Sequence, residues 1–246
     1  MKDITSEVSR RRRQVVTVDA LLSRTYGEPE WSPGLDALSE LVLTILSQHT
    51  SDLNSGAAFD KLRDRFSNDW QSVMTAPVED VAAAIRSAGL SNTKAPRIQA
   101  VLREVLERTG SLNLDFLARM ELDDAKRWLT SLKGVGPKTA ACVLMFSFGL
   151  PAMPVDTHVL RVSRRLGLIE PRVNAERAHV ELENLVEADR VYPFHVGLIR
   201  HGRQVCKAPV PLCDRCPLTD LCEYFQSKYS DSPLVASGWS SGCAVR

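Results

Sequence analysis

Four cysteines fall within seventeen residues, spaced Cys206-x6-Cys213-x2-Cys216-x5-Cys222. In a chain without a secretory pattern, clustered thiols point to metal ligation rather than disulfides. Four thiolates suit either a [4Fe–4S] cluster or tetrahedral zinc. Zinc ribbons usually carry two close Cys pairs, and only Cys213 and Cys216 form one here. A second group of residues could do covalent chemistry. In "LKGVGPKTAACVLMFSFG", Leu132 to Gly149, a lysine follows a glycine turn and a proline and precedes an apolar run. An ammonium at such a place faces the positive end of a helix dipole and an apolar wall, and both favour the neutral amine. A neutral amine is a nucleophile able to form a Schiff base. Eighteen residues on, Asp156 precedes another helical pattern, where its carboxylate is placed to cap the N–H groups of residues 158–159 and to stay ionised.

These side chains need helices to hold them. The stretch "DDAKRWLTSLKGVGPKTAACVLMF" reads as helix, tight turn, helix. Gly134 and Gly136 permit positive φ, Leu132 and Val135 plug the turn into a core, and Pro137 suits the first turn of the second helix. The N–H groups of Val135, Gly136 and Lys138 are then expected to face outward as a phosphate site that reads no base. Elsewhere the period is helical throughout. "LDALSELVLTIL" is apolar over most of its circumference and is expected to be a central core helix. Asp52 is the expected N-cap of the next helix. Pro77 precedes a helix stopped by Gly89, and Pro96 is expected in the first turn of one stopped by Gly110. Further helices are expected at about 121–131, 137–148, 157–166, 174–187 and 194–204. There is no alternating strand pattern and no hairpin signal. The fold class is therefore all-α. Residues 1–16 and those after about 228 read as mobile ends, Cys243 as a free thiol in that tail, and Cys142 as a core residue.

The chain has 246 residues, 25% charged and 44% hydrophobic, with a net charge of +1. That is an ordinary globular composition, large enough for one large or two small domains. No apolar run is long enough to cross a bilayer, and no signal peptide is visible, so a cytosolic setting without a membrane partner is expected. Net charge is uninformative about nucleic acid, but its distribution is not: Arg10 to Arg13, Arg161 with Arg164 and Arg165, and Arg200 with Arg203 and Lys207 form basic clusters.

Taken together, "LKGVGPKTA", "VDTH" after an apolar helix, and the x6-x2-x5 cysteine spacing resemble the endonuclease III branch of the helix-hairpin-helix DNA glycosylases, over about residues 30–225. The resemblance implies two helical lobes with a DNA cleft between them. Residues 30–150 would form a six-helix barrel carrying the hairpin. Residues 1–29 plus 151–246 would form an iron–sulfur lobe around a [4Fe–4S] cluster held by Cys206, Cys213, Cys216 and Cys222. It implies Lys138 as Schiff-base nucleophile at a sugar C1′ and Asp156 as the carboxylate that assists it. The lysine implies a bifunctional glycosylase and abasic-site lyase of base excision repair, acting on oxidised pyrimidines. Its partner would be double-stranded DNA containing damaged bases or abasic sites, bound by a monomer on the nucleoid if bacterial. Rival readings are a mismatch or uracil glycosylase and a non-catalytic iron–sulfur DNA-binding protein.

One departure from that pattern concerns the loop that fills the gap left by a flipped base. The family usually has a glutamine where "ILSQHTSD" places His49, with Gln48 one residue earlier; either is polar and planar enough to fill the gap. The second wedge is intact, with Leu90 of "GLSNTKA" placed to push between bases. Gly134, Val135, Gly136, Gln48, His49 and Leu90 are thus the expected DNA contacts.

Overall fold

A computed structural model of the chain describes residues 4–229. Among these the elements are helical, with no strand. The chain divides into two compact units, one of residues 32–154 and one of residues 1–31 with 155–246.

In the unit of residues 32–154 the first helix is α2 (Ala37–Ser47), preceded in the chain by α1 (Ile4–Tyr26) of the other unit. Its Leu38, Leu41, Val42, Ile45 and Leu46 are at most 1% exposed. Burying each such side chain stabilises by roughly 1.5–3 kcal/mol, which makes α2 the axis of this unit. It packs on α3 (Asp52–Arg65), α6 (Ser91–Thr109) and α8 (Pro137–Phe148). The short helices α4 (Trp70–Thr75) and α5 (Val78–Ala84) pack on α6, and α7 (Leu122–Thr130) packs on α8. Gly110 ends α6 and Gly89 ends the turn after α5, as their positions predict. Two cap assignments change. Ser51 rather than Asp52 is the N-cap of α3, its hydroxyl accepting from Asn54 N–H at 3.3 Å. Pro96 sits inside α6, because the helix begins at Ser91. Its neighbours on the exposed face leave the missing hydrogen bond facing water, so the helix continues through it.

The other unit contains α1 (Ile4–Tyr26), α9 (Thr157–Leu166), α10 (Ala175–Glu183), α11 (Val191–Gln204) and α12 (Glu223–Tyr229). The expectation of a mobile stretch over residues 1–16 is overturned for residues 4–16, since α1 runs for 23 residues from Ile4, and residues 1–3 lie outside the described residues. Val15, Val18 and Leu22, at 3%, 0% and 1% exposure, form its buried stripe. It packs on α11, where Gly197 admits the Leu22 side chain: a Cβ there would lie 3.1 Å from Leu22 Cβ. The arginine run masks this stripe in the sequence, yet Arg12 donates to Asn184 O at 2.9 Å and so serves the fold. Cys142 is buried in α8 as expected. Cys243 and the rest of the tail beyond Tyr229 lie outside the described residues.

Candidate nucleic-acid interface and active site

The glycine turn is built from both ends. Val135 N–H donates to Leu132 O at 3.1 Å, and the side chains of both residues are buried in the core. Val135 therefore cannot offer its amide to a ligand, which corrects the expectation of three outward N–H groups. Gly134 takes φ +88°, but Gly136 has φ −99° and ψ 175°, an extended N-cap that any residue could adopt. Only one glycine of the pair is conformationally required. Pro137 occupies the first helical position of α8 and Lys138 the next. The N–H groups of Gly136 and Lys138 make no hydrogen bond within the described residues. Both lie at the positive end of a twelve-residue helix, a suitable cradle for one phosphate. Lys138 is itself half-buried. From α6, Glu104 accepts from Lys133 N–H at 3.2 Å, and Arg108 donates to Ser131 Oγ at 2.6 Å. The turn is thus tied to α6.

Asp156 is the N-cap of α9, and its Oδ1 accepts from Val159 N–H at 2.7 Å. Its second oxygen has no partner among the described residues. Such a carboxylate is oriented by the helix and still has a free edge. Lys138 lies in the unit of residues 32–154 and Asp156 in the other.

All four clustered cysteines line one recess, with Arg165, His201 and Tyr224. Arg165 Nη1 donates to Cys206 Sγ at 3.3 Å and Leu218 N–H to Cys216 Sγ at 3.4 Å, and His201 Nε2 lies 3.7 Å from Cys216 Sγ. Burial pushes the Cys216 thiol up to about 12 and those of Cys213 and Cys222 upward. Ionising them in place therefore needs a cationic group to receive them. Among the described residues no three His, Cys, Asp or Glu side chains close on a point as a single ion requires. Four thiols lining one recess are a donor set suited to a sulfur-ligated metal group.

Comparison with known proteins gives the family. Residues 42–188 match the model of the HhH-GPD superfamily base excision DNA repair proteins. Endonuclease III of Thermotoga maritima is 34% identical over 193 residues, spanning 78% of this chain and 85% of that protein. Endonuclease III of Sulfolobus acidocaldarius is 31% identical over 191 residues, 77% and 83% of the two chains. The chain belongs to the HhH-GPD superfamily. A solved non-covalent endonuclease III–DNA complex superposes with TM-score 0.76 at 27% identity, covering 89% of this chain and 98% of that one. A trapped endonuclease III–DNA covalent intermediate superposes with TM-score 0.74, also at 27% identity, covering 88% and 98%.

Within this HhH-GPD chain, three candidate contacts share the unit that carries the glycine turn. Leu90 is 60% exposed in the left-handed region at φ 49°. His49 is also exposed and left-handed, at φ 57°. Left-handed non-glycine residues cost roughly 1–3 kcal/mol and are found where surrounding structure enforces them. Gln48 differs: its Oε1 accepts from Arg97 Nη1 at 2.8 Å. Arg97 and its neighbour Lys94 were not anticipated from the sequence. Lys94 is 3% exposed, with Nζ donating to Leu46 O at 2.7 Å and Ala88 O at 2.9 Å. The signal was present, since Lys94 stands on the apolar stripe of α6 four residues before Ile98.

Proposed function

We propose that this protein is a bifunctional DNA glycosylase and abasic-site lyase that removes oxidised pyrimidines from duplex DNA. The observation that carries the reading is Lys138, an amine at the second position of α8, directly behind a turn whose free N–H groups suit a phosphate. The turn grips the backbone without reading sequence. The same helix end aims the amine at the sugar of the held nucleotide. The damaged base first leaves the stack, which costs least when damage has weakened its stacking or pairing. His49 fills the gap left behind, and Leu90 wedges between bases from the other loop.

In the first step Lys138 Nζ bonds to C1′ as the C1′–N glycosidic bond breaks, and the departing base takes a proton from water. The nitrogen's lone pair then opens the sugar ring to a protonated Schiff base. Asp156, with one carboxylate oxygen held by Val159 N–H and the other free, stabilises the cationic sugar, accepts the amine's proton and returns it to the ring oxygen O4′ as the ring opens. Loss of a C2′ proton then expels the 3′ phosphate oxygen, breaking the C3′–O bond by β-elimination. Water releases the sugar from Lys138. The trapped covalent endonuclease III–DNA intermediate supports this course by likeness.

The four cysteines around one recess support a [4Fe–4S] cluster held by Cys206, Cys213, Cys216 and Cys222. Those four residues would hold it between the loop after α11 and the start of α12. On this chain Arg165 serves that site by donating to Cys206 Sγ while its guanidinium stacks 5.0 Å over Tyr224.

Borohydride reduction in the presence of damaged duplex tests the reaction. The wild type is expected to form a covalent complex and Lys138→Gln to form none. Equal trapping by Lys138→Gln, or none by the wild type, overturns the mechanism. A panel of oxidised pyrimidines, uracil and mismatches then decides the base: preference for uracil or a mismatch would replace the oxidised-pyrimidine assignment.

A further inference from the structure

Three surface segments of the unit of residues 32–154 come from distant parts of the chain: Gln48–His49, Gly89–Leu90 and the turn at Gly134. The first turns of α6 touch all three. Lys94 holds the carbonyls of Leu46 and Ala88, each two residues before a segment's leading side chain, Gln48 or Leu90. One turn further, Arg97 donates to Gln48 Oε1 at 2.8 Å. The stem of the same arginine covers Gly134, where an added Cβ would lie 3.1 Å from Arg97 Cδ and Nε. The adjacent His49 is exposed and makes no hydrogen bond within the described residues.

The loop therefore carries two neighbouring planar polar side chains, one tethered and one not. A Gln amide offers a donor and an acceptor side by side, whereas a neutral imidazole offers them on opposite edges of a ring. The two would favour different partner bases. A partly buried hydrogen bond from a guanidinium is stronger than a neutral one, and biases Gln48 toward α6 by about tenfold or more. We propose that Arg97 is a specificity-determining positioning residue: it withdraws Gln48 and leaves His49 alone to meet the base opposite the lesion. This rests on the reading of the protein as a glycosylase that flips a base.

The test is binding of the full-length protein to duplexes carrying a tetrahydrofuran abasic analogue opposite each of the four bases. Arg97→Met keeps the stem over Gly134 and removes the donor. It is expected to change the relative Kd between opposite bases by about threefold or more. Gln48→Ala is expected to keep the wild-type order of bases. The double substitution Arg97→Met with Gln48→Ala is expected to return to that order, because the released competitor is gone. A role of Arg97 in folding or in general charge would not be reversed this way. The proposal is overturned if Arg97→Met leaves the order unchanged, if the double variant stays as altered as Arg97→Met, or if the wild type binds all four duplexes equally. Should Arg97→Met fail to fold, Gln48→Ala still decides, since an altered order in that variant overturns the proposal. Borohydride trapping on a plain abasic duplex reports Lys138 separately. Wild type that does not trap sinks the functional reading; wild type that traps while Arg97→Met leaves the order unmoved sinks only the role of Arg97.

Discussion

Lys94→Met should destabilise the unit that carries the glycine turn. The lysine Nζ satisfies Leu46 O and Ala88 O, both on residues with no solvent exposure. Methionine matches the stem and leaves both carbonyls unpaired. An unsatisfied buried acceptor costs about 1–3 kcal/mol, so two cost roughly 2–6 kcal/mol. Part of this is recovered, because the ammonium is itself strained by its site: burial, and then the nearby Arg97, push its pKa below the usual lysine value. A net loss of about 2–3 kcal/mol is expected. For a chain of this size each kcal/mol lowers Tm by roughly 2–4 °C, giving a fall of about 4–12 °C. Thermal unfolding followed by circular dichroism reads this directly. Lys94→Arg should not rescue it, since the site, 3% exposed, has no room for a planar guanidinium. Duplex binding should fall alongside Tm, because the same carbonyls anchor the His49 and Leu90 loops. A Lys94→Met protein that melts within about 1 °C of wild type would refute the reasoning.

Asp156→Asn should separate capping from chemistry. Asparagine caps a helix about as well as aspartate, so Tm should move by less than about 2 °C, whereas trapping and strand cleavage should fall by about a hundredfold; a proportionate loss of both would make Asp156 only a cap. Glu40 should set a pH dependence of stability. Burial raises its carboxyl from 4.5 to about 7, opposed by a hydrogen bond from Thr44. The folded state therefore holds a proton that the unfolded state has lost between those values. That stabilisation is complete below pH 4.5 and disappears as pH rises through about 7, up to about 3 kcal/mol before allowance for residual exposure. Urea unfolding at pH 5 and pH 8 should show Glu40→Gln gaining on the wild type at the higher pH, and a constant difference between the two would refute it.

Much of the helical frame was legible because its signals are local. Pro137–Phe148 and Thr157–Leu166 fall where proline, the N-cap aspartate and the following glycines place them. The misreadings have two causes. In α1 the arginine run outweighs three buried apolar residues in any average over the sequence, although the helix depends on those three. At Ser51 and Pro96 the boundary was set by which backbone groups meet water, which composition does not record.

The sequence by itself determined the chemistry on offer: an amine behind a glycine turn, a capping carboxylate and four thiols at a family spacing. Each is a matter of residue type at short range, and helical geometry does the rest. Only the tertiary structure decided which of those groups stay available. Val135 N–H is consumed by Leu132 O, Gln48 is held by Arg97, and His49 and Leu90 project from left-handed backbone. Those outcomes depend on contacts between residues as far apart as Gln48 and Arg97, or Arg97 and Gly134. Hydrogen bonds and close approach at that separation exist only once the helices have packed.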